Sequence, residues 1–256
     1  MEPSPQFTYA FFLILIRTSA MLVSAPLLSN KGIPAWTKIG FALIFSLVLV
    51  PLQEGRLPQP PENFGTLAAA VLAETLFGLA MGLAMQLVFV SLHMGSQLLG
   101  VQMGFGLGAV YDPVTGAHSG ALDQFYSILA SLVFFTVNGH HVVIQALAET
   151  IYAVPLGTWN PLTLTSAGIA ALVTGLLVTA VRIAMPVLAA LFLTDIGMGF
   201  VARTVPQANV LIVGMPLKIG VGLLVLLAAL PVTATLMQSV IGNQLAGSSQ
   251  QLLGVR

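Results

Sequence analysis

Long apolar runs, separated by short polar segments, occupy most of this chain and restrict what it can fold into. The runs lie at about residues 7–28, 35–53, 66–110, 122–154, 166–201 and 209–242. About 20 apolar residues in a helix cross a hydrocarbon core of about 30 Å. We therefore predict an all-α integral membrane protein, and no soluble domain is visible between the runs.

The charge content supports the same class of protein. Only 6% of the residues are charged, whereas soluble domains have about a quarter, and the mean hydropathy is +0.98. The eight basic and eight acidic residues are scattered, which gives no patch for nucleic acid. The absence of cysteine excludes disulfides, thiolate catalysis and cysteine-ligated metals.

Proline and glycine mark the connections between the runs. The clearest loops are predicted at 29–34, 53–63, 111–120 and 155–161, because these residues favour turns. The first run contains Arg17 and has no basic segment before it, so we interpret it as a retained helix and not as a cleaved signal.

The third run and the last two are far longer than a single span requires. Each of them must either break or extend beyond the bilayer. Prolines at 186, 216 and 231 each remove a backbone donor and favour kinks, whose freed carbonyls need partners in protein or water. We therefore predict long, kinked helices that require neighbouring helices.

Small residues also favour close helix packing. Gly78 and Gly82 stand four residues apart in GLAMG, and Gly95, Gly100 and Gly104 continue the pattern. Glycine at this spacing lets the backbones of two membrane helices approach closely. Packing of this kind says nothing about function.

Four charges inside the apolar runs are candidates for buried groups: Arg17, Glu74, Arg182 and Asp195. They could form a proton or substrate relay, but a structural salt bridge with another helix or subunit is favoured because no run contains a cluster of ionisable groups. Arg182 and Asp195 are 13 residues apart, too far for a pair within one helix. An unpaired arginine in hydrocarbon costs about 2.5 kcal/mol or more, so we expect Arg182 to have an acidic or carbonyl partner across a helix boundary.

Two motifs suggest binding chemistry, but their context does not support it. His140 and His141 in NGHH could bind a metal, yet adjacent residues point to different sides of a helix, so a polar turn or helix end is favoured. The GxGxG of 104–108 has no βαβ unit around it and no basic residue after it. With no paired nucleophile and base, we predict no enzyme activity and no cofactor.

The segment QMGFGLGAVYDP at 102–113 places flexible backbone beside apolar side chains. Three glycines in five residues each cost a helix about 1 kcal/mol, which argues against a plain membrane helix. The segment is therefore expected to be a loose apolar connection.

Four stretches of the sequence stand out together: APLLSNKGIPAWTKIGFAL at 25–43, QLLGVQMGFGLGAVYDP at 97–113, FFTVNGHHVVI at 134–144 and VPLG at 154–157. In this order they resemble the FliR family of flagellar biosynthetic proteins. The likeness extends over nearly the whole chain. VPQANVLIVGMPLKIGVGLL at 205–224 is in addition similar to the polar turn and helix of the small gate subunit FliQ.

The resemblance implies a single membrane domain over 1–256, with a FliP-like part at about 1–160 and a FliQ-like C-terminal hairpin region at 161–256. It implies a noncatalytic subunit of the flagellar type III export gate, in the bacterial inner membrane at the flagellar basal body. Long helical hairpins would pack with FliP-like, FliQ-like and FlhB-like subunits into a helical hetero-oligomer. Unfolded flagellar proteins would be exported through its pore, and membrane lipid would surround it.

The family resemblance also implies that the segment around 102–120 plugs the pore. The predicted plug residues are Met103, Gly104, Phe105, Gly106, Leu107, Gly108, Val110, Tyr111, Asp112 and Pro113. Glycine would let the segment fold inward and withdraw, and apolar side chains would block ions by dewetting. The alternative is a helix-breaking packing loop. For the whole chain, the alternatives are the equivalent gate subunit of a virulence injectisome and a solute permease that works alone.

Overall fold

Helices make up all the regular secondary structure in the part of the chain that the structure describes. The computed structural model describes residues 4–26, 29, 32–53, 57–105, 121–160, 166–204 and 210–253. The helices are α1 (Pro5–Ser24), α2 (Ala35–Leu49), a short 3₁₀ helix (Pro51–Gln53), α3 (Phe64–Gln102), α4 (Ala121–Thr136), α5 (Gly139–Ala153), α6 (Ser166–Thr204) and α7 (Val210–Leu253). The all-α prediction is confirmed.

Four helical segments are long and apolar enough to cross a membrane. They are Pro5–Ser24, Phe64–Gln102, Gly168–Thr204 and Ile212–Val240. Helices α4 and α5 together pass the same test but are bent by 66° where they meet. The described chain therefore has four candidate spans, or five if the bent pair is one span, and it is an integral membrane protein.

The three longest runs form helices that continue without a break. Helices α3 and α6 have 39 residues each, and α7 has 44. Pro186 lies inside α6, and Pro216 and Pro231 lie inside α7. At a rise of 1.5 Å per residue, α3 is about 58 Å long, so these helices exceed the hydrocarbon core instead of ending within it.

The junction between α4 and α5 is a turn built on asparagine. Asn138 has a left-handed backbone with φ 54°, a conformation that asparagine tolerates better than most residues. Its carbonyl accepts hydrogen bonds from the amides of His141 at 2.8 Å and Val142 at 3.2 Å. The prediction of a turn or helix end at NGHH is therefore confirmed.

The chain divides into two compact units, and both are discontinuous in sequence. Unit 1 comprises Met1–Val88, Asn138–Leu172 and Ile241–Arg256, and unit 2 comprises Phe89–Val137 and Val173–Val240. One buried apolar cluster of unit 1 contains Ala10, Leu13, Ile14, Leu49, Val50, Ala70, Ile151 and Leu156. The predicted division into FliP-like and FliQ-like parts near residue 160 stays a prediction.

Helix α1 packs against α3 in unit 1 through glycine. A side chain at Gly78 would collide with the backbone oxygen of Arg17 and would place its Cβ 2.9 Å from that of Ala20. At Gly82, a Cβ would lie 2.8 Å from the carbonyl oxygen of Met21. The predicted close packing at GLAMG is thus confirmed, because only glycine leaves room for the neighbouring backbone.

Helix α3 continues into unit 2, where the glycine pattern holds only in part. A Cβ at Gly95 would lie 3.0 Å from the Ala180 oxygen of α6, which confirms close packing there. Gly100 has no atom of the described residues within 4 Å of its Cβ position, so the described part of the chain does not pack closely against Gly100. Gly104 ends the series in a left-handed turn with φ 87°.

Candidate functional site

A fully buried ion pair lies at the centre of unit 1. Arg17 of α1 and Glu74 of α3 both have side chains with 0% exposure. The guanidinium donates from Nε to Glu74 Oε2 at 2.5 Å and from Nη2 to Glu74 Oε1 at 2.9 Å. This bidentate geometry matches the planar guanidinium to the carboxylate and is the strongest form of such a contact.

Further contacts extend this pair to the end of α5 and the turn that follows. Arg17 Nη1 donates to the Thr150 carbonyl at 3.1 Å, and Nη2 lies 3.4 Å from the Val154 carbonyl. Glu74 Oε1 also accepts the amide of Gly157 at 2.6 Å. We call this set of residues, Arg17, Glu74, Thr150, Val154 and Gly157, the polar joint.

The backbone at Gly157 has a shape that few other residues tolerate. Its φ is 75°, and a Cβ would lie 3.1 Å from the Cβ of Ala70. Beside the joint, the Phe77 ring centroid lies 4.6 Å from the guanidinium carbon of Arg17, a favourable cation–π distance. The charged groups of Arg17 and Glu74 therefore both have further partners besides each other, and these contacts hold α1, α3 and the end of α5 together.

The other two charge candidates lie in unit 2 and differ from the joint. Asp195 of α6 pairs with Lys218 of α7, with 2.5 Å between Oδ1 and Nζ, and their side chains are 40% and 24% exposed. Arg182 lies on an exposed part of α6, and it has no hydrogen-bond or ion-pair partner among the residues that the structure describes. The structure therefore brings together Arg17 with Glu74 and Asp195 with Lys218, but does not provide the expected partner for Arg182.

Sequence reasoning missed a polar contact between α3 and α4. The Ser96 hydroxyl donates to Asp123 Oδ1 at 2.5 Å, and His93 Nδ1 lies 4.0 Å from the same oxygen. Gln97 Nε2 lies 3.0 Å from His93 Nε2. Asp123 is buried in the first turn of α4, where a carboxylate is favoured by the helix dipole, and this was the only signal in the sequence.

The described part of the predicted plug is packed against α7. Met103 has 0% exposure, and a Cβ at Gly222 would lie 2.6 Å from the Met103 Cε. Phe105 is partly buried. The other predicted plug residues lie outside the described residues: Gly106, Leu107, Gly108, Val110, Tyr111, Asp112 and Pro113. The plug assignment stays a prediction.

The fold and the polar joint define a class of protein: an all-helical membrane protein in which a fully buried ion pair connects the helices. The family model described as "Bacterial export proteins, family 1" matches residues 8–244. The chain belongs to this family of bacterial export proteins, and its relatives place it with the flagellar biosynthetic protein FliR.

Three relatives show how far this similarity extends. Each carries the name flagellar biosynthetic protein FliR. The chain is 32% identical to the Bacillus subtilis protein, over 90% of both chains. It is 30% identical to the Escherichia coli protein, over 88% of this chain and 85% of the relative, and 26% identical to the Aquifex aeolicus protein, over 92% and 91%.

Family membership and the candidate spans together assign a place in the cell. The chain is a component of the flagellar protein-export apparatus, which is a transport assembly, and it lies in the inner membrane at the flagellar basal body. Export components are therefore its partners.

Proposed function

We propose that this protein is a noncatalytic subunit of the flagellar export gate, and that it helps to form and plug the pore for unfolded flagellar proteins. Its partners are FliP-like, FliQ-like and FlhB-like subunits. The protein acts by shape: its helices form part of the wall, and residues 103–113 close the pore at rest.

The length of the apolar helices carries this proposal. Helices α3 and α6 are about 58 Å long and α7 is about 66 Å, whereas a bilayer with its headgroups measures about 40–45 Å. Large apolar side chains are nevertheless exposed along nearly the whole of α3, from Phe64 to Val101, and of α6, from Ile169 to Val201. Apolar faces that extend beyond lipid need protein to cover them, which favours a subunit over a permease that works alone.

The anchoring of residue 103 supports the plug. The last turns of α3 hold Met103 in a pocket at Gly222, and Gly104 then turns the backbone out of the helix. A segment that leaves a fixed point through a left-handed glycine can project away from the helices. Its apolar side chains would then meet in the pore and exclude water.

Co-purification tests the proposal. Expressed with FliP-like and FliQ-like subunits of the same bacterium, the tagged chain should elute from a sizing column with both of them. Expressed alone, it should aggregate or be degraded, because its exposed faces lack their partners. A stable, monodisperse lone chain that binds neither subunit would contradict the gate assignment and favour the permease.

A further inference from the structure

Arg182 differs from the paired charges of the described apolar helices. Arg17 is paired with Glu74, and Asp195 is paired with Lys218. Arg182 is exposed and, among the described residues, has neither an ion-pair nor a hydrogen-bond partner. An arginine in such surroundings is costly unless a partner or water reaches it.

The side chains around Arg182 form an apolar face on α6. Residues three and four positions apart share one side of a helix, and Val178 and Met185 therefore flank Arg182 with exposures of 41% and 54%. The opposite side of the helix is buried within unit 2 through Ile183, Ala184 and Val187. We call the exposed residues Val178, Arg182, Met185 and Phe192 the Arg182 face.

The length of exposed apolar surface on α6 indicates that protein, and not lipid alone, covers this face. On the side of α6 that carries Arg182, exposed apolar side chains extend from Ala171 to Phe200, a distance of about 44 Å along the axis. The hydrocarbon core measures only about 30 Å. If the core is centred on Arg182, the guanidinium needs a partner within it. If the hydrocarbon core instead covers only one half of α6, the other half begins near Arg182 and lies outside the core. Its exposed apolar side chains then need protein to cover them.

The guanidinium determines the chemistry of that partner. Arginine matches a carboxylate through two parallel hydrogen bonds, as Arg17 does with Glu74 in unit 1. A membrane helix with one acidic side chain in an apolar surface would be as costly to leave alone as Arg182 is. Joining the two surfaces removes both costs.

We propose that the Arg182 face docks a membrane helix of a neighbouring export-gate subunit, and that an Asp or Glu of this helix pairs with Arg182. This inference rests on the proposed function, because it requires that gate subunits surround the chain. It adds the site of contact and the chemistry of the partner helix.

Charge reversal in the assembled complex tests the pairing. The full chain, as Arg182→Glu, is co-expressed with FliP-like and FliQ-like subunits, and the amount of each subunit that co-purifies is measured. Removing one partner of a buried pair weakens binding by about 30-fold or more. Arg203→Glu is the matched control, since Arg203 is exposed in the last turn of the same helix, and should change the amount by less than about twofold.

A second reversal identifies the partner. Each Asp and Glu in the membrane helices of the two subunits is changed to Arg, one at a time, with Arg182→Glu present. One of these changes should restore co-purification, and the same change should impair assembly when Arg182 is intact. A photo-crosslinking amino acid at Met185, in the chain with Arg182 intact, provides a readout that does not depend on the folding of Arg182→Glu. It should crosslink to a membrane helix of a gate subunit that carries an Asp or Glu.

Several results would overturn the inference. The inference is wrong if the Arg182→Glu variant assembles as well as the Arg203→Glu variant. It is also wrong if no acidic-to-Arg change in the partner subunits restores co-purification and the residue at Met185 crosslinks only to lipid. Assembly that depends on phosphatidylglycerol in nanodiscs for the wild type, but not for Arg182→Gln, would assign Arg182 to a lipid phosphate. If the wild-type chain itself co-purified with neither subunit, the proposed function would fail; if it co-purified and the variant did too, only this inference would.

Discussion

Replacing Glu74 with Gln should destabilise the protein strongly. Arg17 Nε, Arg17 Nη2 and the Gly157 amide all donate to the two carboxylate oxygens at 2.5–2.9 Å. In glutamine one of these oxygens becomes an NH2 group, which can only donate and therefore opposes the donor that it faces. The substitution also leaves the charge of Arg17 without a counterion at 0% exposure. Breaking a buried pair in this way costs about 3–5 kcal/mol.

Lys218→Gln provides the matched comparison. The Lys218–Asp195 pair has the same 2.5 Å separation, but its side chains are 24% and 40% exposed. Solvent screening limits such a pair to about 0.2–1 kcal/mol. Each variant therefore removes one charge from an ion pair with a 2.5 Å contact. The two variants differ in burial and in the number of hydrogen bonds that are lost.

The assay is thermal unfolding of the co-purified complex in detergent, followed by gel filtration of the tagged chain after heating. With about 2–4 °C per kcal/mol for a chain of this size, Glu74→Gln should lower the midpoint by about 6–20 °C. Lys218→Gln should lower it by no more than about 4 °C.

The double variant Arg17→Met with Glu74→Met separates charge from packing. Replacing both members of a buried pair with apolar residues is often neutral, so the double variant should recover part of the loss seen with Glu74→Gln. Equal midpoints for Glu74→Gln and Lys218→Gln would refute the reasoning, as would a double variant that is less stable than the single one.

Two other substitutions and one deletion test packing and the plug. Gly222→Val should lower the unfolding midpoint, because the Cβ position of Gly222 lies 2.6 Å from Met103 Cε and overpacking costs about 1–3 kcal/mol. Adding Met103→Ala to this variant should restore the midpoint. The control Gly220→Ala, where the Cβ position has open space around it, should leave the midpoint unchanged. Gly78→Ala should lower the midpoint through the contact with α1, and an unchanged value would contradict the close approach. Deleting Gly104–Gly108 should leave assembly largely intact but raise ion conductance across the membrane; a variant that assembles and conducts like the wild type would make the segment a packing loop.

The helices were predictable because hydropathy acts over many residues at once. Apolar runs determine where helices lie in an all-helical membrane chain, and Asn138 with Gly139 marks the turn within the fourth run. The long runs could not be assigned as broken or continuous, because proline within a helix is compatible with both when neighbours satisfy the freed carbonyl. The structure has continuous helices at Pro186, Pro216 and Pro231.

The partners within the candidate site were not predictable from one sequence. Arg17 and Glu74 are 57 residues apart, and Glu74 and Gly157 are 83 apart, so no local spacing signals these contacts. A helix position advances by about 100° per residue, and composition does not say which side of an apolar helix meets which neighbour. For the same reason, Gly95 contacts α6 whereas Gly100, in the same small-residue pattern, meets open space.

The sequence separation within the polar joint has a consequence for biosynthesis. Arg17 and Glu74 leave the ribosome before the carbonyls of Thr150 and Val154, and the amide of Gly157 is made 83 residues after Glu74. At about 5–20 residues per second, that interval lasts about 4–17 s. For this time Arg17 and Glu74 can pair with each other, but the pair lacks the three backbone partners that complete its hydrogen bonds in the folded chain.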